Sequence, residues 1–232
     1  RGGLDLSQLA LPLRLADYAI FDTFLATGNE PVVDYLRSLT GAAPGQGAWV
    51  WGAPATGKSH LLQATCERFG DRAAYLPVAD LAAAGPAMLE GLDSRQLVCI
   101  DDVDSVAGDE EWERGLFVLC NGLIDAGHHL VVSAAAAPRE SGIVLADLRS
   151  RLQRLATFHI RGLDEASRME ALQLRASHRG LELPVETARF LMARSRRDMR
   201  SLYELLDKLD LEALRAQRRL TIPFVRDVLQ AG

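Results

Sequence analysis

The stretch Gly52-Ala-Pro-Ala-Thr-Gly-Lys-Ser59 decides the fold class of this sequence. It fits the pattern G-x-x-x-x-G-K-[ST] at every fixed position. It follows the apolar run Ala48-Trp-Val-Trp51 directly and precedes the helix-compatible residues 58–69. Its glycines let the backbone curl so that N–H groups face phosphate oxygens, and the next helix adds its positive N-terminal end. The sequence therefore predicts a strand, a phosphate-binding loop and a helix, in that order.

This loop predicts a site for ADP or ATP with Mg²⁺. In loops of this pattern the lysine, here Lys58, reaches the β- and γ-phosphates, and the hydroxyl of Ser59 holds Mg²⁺. Lys58 also stands out because Lys208 is the only other lysine of the chain. For His60, packing within the helix is the alternative to a nucleotide contact. The residues of this segment predicted to bind nucleotide are Gly52, Pro54, Ala55, Thr56, Gly57, Lys58, Ser59 and His60.

A second signal is the apolar run Leu97-Val-Cys-Ile100, which ends in Asp101 and Asp102. An uninterrupted apolar run is typical of a strand buried on both faces of a parallel sheet, and ligands bind at the carboxyl ends of such strands. Asp101 is therefore predicted to be the acidic residue that holds Mg²⁺. Asp102 is predicted to orient water for catalysis. Many strong ATPases have the longer glutamate at that position, so we expect slow intrinsic hydrolysis.

Strand and helix patterns alternate between residues 31 and 160. Further strands are predicted near Ala73–Leu76, Leu130–Ser133 and Thr157–Ile160, and helices over 31–40, 78–90, 109–126 and 144–154. Such alternation predicts an α/β fold, with a parallel sheet flanked by helices on both faces.

From Leu163 onward the strand patterns stop. Asp164, Pro184 and Thr221 are typical helix starts, which indicates four helices packed as a small second domain. The predicted organisation is an irregular leader over 1–30, an α/β base domain over 31–162 and an all-helical lid domain over 163–232.

Composition limits the class of protein. With 48% apolar and 25% charged residues, the 232-residue chain has the balance of a globular protein and not of a disordered or fibrous one. No apolar run reaches the roughly 18 residues of a membrane span. A net charge of −5 offers nucleic acid no general attraction. Three cysteines without metal-ligand spacing argue against a disulfide scaffold and predict a reducing, cytoplasmic location.

Together, the phosphate-binding loop, the paired acids and the helical end of the chain resemble the AAA+ ATPases, and among these the DnaA/Hda family. The segments that carry the resemblance are Asp101-Asp102, Phe21-Asp-Thr-Phe24 with Gly28-Asn29, Asp147-Leu-Arg-Ser-Arg151-Leu152, Arg197-Asp-Met-Arg200-Ser-Leu202, Leu172-Gln-Leu-Arg175 and Leu220-Thr-Ile-Pro-Phe224. They run across almost the whole sequence.

The resemblance implies roles for three further residues. Phe21 would lie along the adenine base. Arg200 would be a sensor-2 residue on the nucleotide phosphates, with a solvated helix arginine as the alternative. Arg151 would be an arginine finger that acts on a γ-phosphate held by another subunit. A structural salt bridge is the alternative for Arg151, and Arg149 or Arg154 is the finger if the alignment slips.

One segment departs from the family pattern. The family usually has a polar sensor-1 residue just after the fourth strand, where this chain reads Ser133-Ala-Ala-Ala-Ala-Pro138. Ser133 is the only polar side chain there. The departure predicts inefficient hydrolysis at this chain's own site. It fits a protein that binds nucleotide, especially ADP, as a switch while it assists hydrolysis elsewhere.

Two features favour the Hda-type regulators within the family. No helix-turn-helix DNA-binding segment follows the lid in this sequence. The leader contains a peptide similar to those that bind the DNA polymerase sliding clamp, the β subunit. Its predicted clamp contacts are Gln8, Leu9, Leu11, Pro12 and Leu13. A strand edge tucked on the core is the alternative, and so is packing against a second copy in a homodimer or higher oligomer.

The resemblance thus implies a regulator that binds nucleotide, docks on the DNA-loaded clamp and contacts DnaA. It would stimulate hydrolysis of DnaA-bound ATP and so repress re-initiation of chromosome replication. DNA would be reached only through the clamp, and no membrane is involved. Two alternatives remain: a self-sufficient ATPase that loads or remodels a replication partner, and a nucleotide-sensing adaptor that needs no Arg151. The clamp-like peptide and the sensor-1 segment, which has only one polar side chain, argue against the self-sufficient ATPase.

Overall fold

The computed structural model describes residues 19–42, 45–194 and 199–230, which form two compact units. We call them the base (residues 19–21 and 28–161) and the lid (residues 22–27 and the described part of 162–230). The predicted leader is therefore divided between the two units. The clamp-like peptide lies outside the described residues.

The base is built on a five-stranded parallel sheet with the strand order β2-β3-β4-β1-β5. The strands are β1 Gly47–Trp51, β2 Ala73–Pro77, β3 Leu97–Asp101, β4 His129–Ala134 and β5 Ala156–His159. Every residue of β3 and β4 is buried, as their uninterrupted apolar runs predict. In β1, which lies between the central strand β4 and the edge strand β5, Trp49 pairs with Val132 on one side and Thr157 on the other.

Helices cover the sheet. Those of the base are α1 Glu30–Ser38, α2 Lys58–Phe69, α3 Val78–Leu81, α4 Glu110–Ala126 and α5 Ala146–Leu152. The predicted helix over 78–90 is wrong beyond Leu81, where the chain continues in 3₁₀ turns. Gly85, with a positive φ of 81°, and Pro86 after it prevent one continuous helix through to residue 90.

One hydrophobic core joins the sheet to α4 and α5. Trp49 and Val132 from the sheet, Leu116 from α4 and Leu148 from α5 are members of the same buried cluster. The side chain of Asp109 caps α4 by accepting from the N–H groups of Glu111 and Trp112. The core thus places the carboxyl ends of β1, β3 and β4 beside one another at one edge of the sheet.

The lid contains the four predicted helices: α6 Glu165–His178, α7 Val185–Arg194, α8 Met199–Ala216 and α9 Ile222–Gln230. Asp164 caps α6 as predicted, accepting from the Ser167 N–H at 2.8 Å. Leu172, Leu206 and Phe224 belong to the lid core, and Leu25 of the leader packs against it. In the described part of the chain, no helix has the length and apolar character needed to cross a membrane.

Candidate functional site

The phosphate-binding loop begins at a position that only glycine fits. Gly52 follows β1, and its N–H donates to the Ala134 carbonyl oxygen at 3.3 Å. A Cβ on Gly52 would lie 2.6 Å from the carbonyl oxygen of Ile160, closer than real Cβ contacts. The loop therefore leaves the sheet between β4 and the end of β5, along a path that a larger residue would block.

Two residues turn the loop into α2. Ala55 has φ 60° and Gly57 has φ 100°, both in the left-handed region. For Ala55 this conformation costs on the order of 1 kcal/mol, a strain that is typical of ligand-binding turns. Gly57 is the N-cap of α2, and no side chain caps that end. The first N–H groups of α2 are thus directed at the loop, as in sites that bind phosphate.

The side chain of Lys58 is bound by the backbone of the phosphate-binding loop. Lys58 is only 7% exposed, and its Nζ donates to the carbonyl oxygens of Gly52 at 3.0 Å and Ala53 at 3.1 Å. The Thr56 hydroxyl donates to the same Ala53 oxygen at 2.9 Å. The ammonium group therefore sits within the curl of the backbone. Ser59 follows it in the first turn of α2 and is half-buried.

Both carboxylate oxygens of Asp101 are engaged by hydroxyl groups. Asp101, at the end of β3, is 3% exposed. Its Oδ1 accepts from the Ser133 hydroxyl and its Oδ2 from the Tyr75 hydroxyl at 2.6 Å. Gln63 of α2 donates to the Tyr75 oxygen at 3.2 Å. A chain of hydrogen bonds therefore joins the helix of the phosphate-binding loop to Asp101.

Tyr75 was missed by the sequence analysis. Burial and the charge of Asp101 raise the pKa of the Tyr75 phenol far above its usual range, so it stays a proton donor to that acid. Its only signal in the sequence is a hydroxyl-bearing residue within the apolar strand over 73–76. Its partner is revealed by the register of β2 against β3, in which Tyr75 pairs with Cys99 and Pro77 with Asp101.

Asp102 occupies a strained position beside Asp101. It has φ 54° and ψ 50°, and it is half-buried. Burial, and then the charge of Asp101, raise the pKa of the Asp102 carboxyl, while the ammonium of Lys58 acts in the opposite direction. An acid with a raised pKa next to a phosphate-binding loop is suited to accept a proton from, or orient, an attacking water.

The fourth strand extends one residue beyond the predicted Ser133, to Ala134. Ser133 lies inside β4, where its hydroxyl donates to Asp101 and accepts from the Asp102 N–H at 2.9 Å. Beyond it, Asp104 accepts from the Ala135 N–H at 3.1 Å, and the Trp49 indole donates to the Ala136 oxygen at 3.0 Å. Ser133 is thus committed to the paired acids.

Three arginines lie in or just after α5, and their contacts differ. Arg149 donates to the Ile143 oxygen at 3.2 Å. Arg151 is half-buried and lies near Cys120 of α4, where its charge partly offsets the effect of burial, which raises the pKa of that thiol to about 12. Across the described ranges, no hydrogen bond or ion pair engages the Arg151 guanidinium. Arg154 is exposed beyond the helix.

Phe21 and His60 contact other parts of the base. Phe21 is buried, with the guanidinium carbons of Arg37 and Arg68 at 5.3 and 5.9 Å from its ring centroid. The His60 Nε2 donates to the Ile20 oxygen at 2.8 Å, which ties the leader to α2. Contact of either side chain with nucleotide remains a prediction.

The predicted sensor-2 residue belongs to the lid. The Arg200 side chain on α8 is 84% exposed, and its Nε lies 3.8 Å from a Glu204 oxygen. Its neighbour Arg197 lies outside the described residues. The role of Arg200 toward nucleotide therefore stays a prediction.

The donor set fits Mg²⁺ held together with phosphate. Ser59 offers a hydroxyl and Asp101 a carboxylate, which are the hard oxygen ligands that Mg²⁺ prefers. The described residues contain no cluster of three His, Cys, Asp or Glu side chains that would hold a metal ion without help. The remaining ligands would thus be phosphate oxygens and water, as is usual where Mg²⁺ binds with a nucleotide.

Comparisons with known proteins confirm the fold class. Residues 164–229 match the family model described as Hda, lid domain. Domain III of the replication initiation protein DnaA from Thermotoga maritima is similar with a TM-score of 0.71 and 19% identity, over 93% of this chain and 97% of that chain. AMPPCP-bound DnaA from Aquifex aeolicus is similar with a TM-score of 0.66 and 22% identity, over 86% of this chain and 67% of that chain.

A more distant neighbour extends the same conclusion. The RuvB Holliday junction branch migration motor of Thermotoga maritima gives a TM-score of 0.56 at 18% identity, over 88% of this chain and 69% of that chain. The chain therefore has the α/β AAA+ fold followed by a helical lid, and the likeness to Hda and DnaA inferred from its motifs is confirmed.

Proposed function

We propose that this chain is an Hda-type regulator of replication initiation that binds ADP or ATP with Mg²⁺ and stimulates hydrolysis of DnaA-bound ATP. The observation that carries the proposal is the Hda-type lid over residues 164–229, attached to a base with a complete phosphate-binding loop. In this role the protein works in the cytoplasm. Its effect is to keep DnaA from starting a second round of replication.

Nucleotide binding is supported by the geometry of the base. The N–H groups at the start of α2 would receive the phosphates, and Lys58 would exchange its two carbonyl contacts for phosphate oxygens. Ser59 and Asp101 would hold the Mg²⁺, with Asp101 oriented by Tyr75 and Ser133. When bound, Mg²⁺ would neutralise phosphate charge.

Weak hydrolysis by this chain itself is supported by the sensor-1 segment. The Ser133 hydroxyl is engaged by Asp101 and by the Asp102 N–H, so it is not directed at a γ-phosphate. Residues 134–137 are all alanine and offer no side-chain donor. A site equipped in this way binds nucleotide better than it stabilises the charge that develops in the transition state.

Action on another subunit's nucleotide is supported by Arg151. Arg149 is used internally by its bond to Ile143, whereas the Arg151 guanidinium has no such internal hydrogen bond or ion pair in the described ranges. An arginine that enters a neighbouring site stabilises transition-state charge and raises the rate by about 10³–10⁵-fold in well-studied nucleotide hydrolases. Arg151 is therefore proposed as the finger that completes the site of DnaA.

Docking on the sliding clamp is supported by sequence alone, because the peptide lies outside the described residues. Replacing Gln8 and Leu11 by alanine removes a hydrogen-bonding amide and an apolar anchor. We expect the double variant to lose clamp binding in a pull-down while its ADP affinity stays unchanged. Undiminished clamp binding by this variant would remove the peptide from the proposal.

The proposal is tested by turnover of ATP preloaded on DnaA, with this protein present and the clamp either free or loaded on DNA. We expect turnover to accelerate only with the DNA-loaded clamp. A self-sufficient ATPase is the second candidate, favoured by the complete set of Lys58, Asp101 and Asp102. Its signature is rapid steady-state hydrolysis by this chain alone, with further activation by DNA.

A further inference from the structure

Glu113 is a buried acid that no part of the nucleotide site uses. It lies on α4 with 2% exposure. Its Oε1 accepts from the N–H groups of Gly108 at 2.7 Å and Val144 at 2.9 Å. Its Oε2 accepts from Val144 at 3.1 Å and Leu145 at 2.5 Å. One carboxylate thus gathers three backbone donors from two separate segments.

The two segments that Glu113 joins lead to different functional residues. Gly108 comes shortly after the turn Val103–Val106, for which Asp102 is the N-cap. Val144 and Leu145 lead directly into α5, the helix of Arg151. The carboxylate therefore connects the chain beyond the paired acids to the start of the finger helix, although the two segments are over thirty residues apart in sequence.

The start of α5 depends on this acceptor. Its N-cap, Leu145, has no side chain that can accept a hydrogen bond, and none caps the helix. Glu113 takes the N–H group of Leu145, which the helix start leaves without an intrahelical partner, and also the N–H group of Val144 just before it. From the other side, Arg149 donates to the Ile143 oxygen. Side chains therefore bind both the N–H groups and a carbonyl oxygen of the segment that leads into α5.

The charge on Glu113 is stable in this environment. Burial opposes ionisation, but the N–H groups of Gly108, Val144 and Leu145 and the positive charge of Arg149 outweigh it, so the pKa of the Glu113 carboxyl is lowered. Hydrogen bonds to an ionised acceptor are about twice as strong as those between neutral groups. A glutamine at 113 would lose the charge and would turn an N–H₂ group toward N–H donors.

We infer that Glu113 is a positioning residue for Arg151, because it fixes the entry into α5 against the segment that follows the paired acids. The inference rests on the proposed function for its catalytic consequence, since that function is what gives Arg151 a task. The holding of α5 itself depends only on the contacts of Glu113.

The holding of α5 is tested on the protein alone by amide hydrogen exchange. Glu113→Gln should speed exchange in residues 144–152 by about tenfold or more, since it weakens charge-assisted hydrogen bonds. Exchange in β4 and α2 should change little. Glu111→Gln, an exposed position on the same helix with the same loss of charge, is the matched control and should leave exchange unaltered. Unchanged exchange at 144–152 in Glu113→Gln would overturn the inference.

The route through Arg151 is tested with a double variant in the DnaA turnover assay. Glu113→Gln should lower the maximal stimulated rate about tenfold, with less than about a twofold change in its own ADP affinity and in the concentration needed for half-maximal effect. Added to Arg151→Ala, it should cause no further loss, because the group that it positions is gone. Additive losses would overturn the route through Arg151.

Two further outcomes separate the inference from the proposed function. If the wild-type protein leaves DnaA-bound ATP untouched, the proposed function is overturned together with the catalytic consequence, while the exchange result still decides whether Glu113 holds α5. If Glu113→Gln does not fold, Glu113→Asp takes its place. It keeps the charge but shortens the reach, so it should give a smaller change of the same sign in both assays, and no change in either would overturn the inference.

Discussion

Asp102 combines a proposed catalytic role with an electrostatic cost to the folded state. It is half-buried next to Asp101, and in the folded protein its pKa is raised above its ordinary value of 3.8. Ionised Asp102 therefore costs the folded state free energy at neutral pH. The cost disappears as the pH falls through the raised pKa, because the carboxyl is then protonated.

Asp102→Asn should therefore raise the melting temperature of the nucleotide-free protein at neutral pH. The gain should shrink steadily toward about pH 4, where the carboxyl is increasingly protonated in the folded wild-type protein. Thermal unfolding of both proteins across this range is the measurement. A gain that does not depend on pH would mean that the better tolerance of asparagine for φ 54°, and not relief of charge, is responsible.

Tyr75 donates a hydrogen bond to Asp101, the acid that is proposed to hold Mg²⁺. Tyr75→Phe removes the donor to the Asp101 Oδ2, so we expect the Mg²⁺-dependent part of ADP affinity to fall by about tenfold, as is common when a partner of a metal ligand is lost. Calorimetric titration with ADP, with and without Mg²⁺, is the measurement. Lys58→Ala should lose ADP binding under both conditions.

The matched control is Tyr35→Phe. Tyr35 donates to the Gly47 oxygen at the opposite end of β1, away from the phosphate-binding loop, so its loss should leave Mg²⁺ dependence unaltered. Equal losses of Mg²⁺-dependent ADP affinity in the two tyrosine variants would show that Tyr75 does not orient Asp101 for Mg²⁺ binding.

At the scale of elements, α6 and α8 of the lid are joined by an ion pair between the buried Arg175 and the half-buried Asp207. Arg175, 2% exposed at its side chain, donates to both carboxylate oxygens of Asp207 at 2.9 Å. Arg179 also contacts Asp207, at 3.2 Å, and the Arg175 guanidinium lies 4.2 Å from the Tyr203 ring centroid. These contacts therefore link α6 to α8 beside the apolar core of the lid.

Asp207→Ala should destabilise the protein by about 2–3 kcal/mol, because the buried Arg175 charge loses its bidentate partner. Urea unfolding followed by circular dichroism is the measurement. Glu212→Ala removes a carboxylate of similar exposure, but its partner Arg215 on the same helix is exposed to solvent, so the loss should be less than about 0.5 kcal/mol. Similar losses in both variants would show that the burial of Arg175 does not make its pairing with Asp207 more important.

The elements themselves were largely predictable because their signals are local. The phosphate-binding loop, the buried runs of β3 and β4 and the caps at Asp109 and Asp164 depend on neighbouring residues in the sequence. The helix predicted over 78–90 was too long, since the α conformation ends at Leu81 and the chain continues in 3₁₀ turns on either side of Gly85. Tyr75 and Glu113 were missed since their partners are distant in sequence and come together only through the strand order and the packing of α4 against α5.

At the scale of the whole molecule, different parts of the base are proposed to carry two tasks. The phosphate-binding loop with Asp101 is proposed to hold this chain's own nucleotide, while α5 offers Arg151 to the nucleotide of a partner. The sequence suggested this division through the complete loop and the depleted sensor 1. The structure adds that Ser133 is engaged by the paired acids and that the contacts of Arg149 and Arg151 differ.

The central claim is tested most directly by turnover of labelled ATP preloaded on DnaA, measured with DNA-loaded clamp and either the wild-type protein or Arg151→Ala. We expect Arg151→Ala to bind ADP and clamp like the wild type but to lose at least about 10³-fold of the stimulation. Arg154→Ala, an exposed arginine just beyond α5, should retain it. Full stimulation by Arg151→Ala would contradict the claim that Arg151 acts on the nucleotide of DnaA.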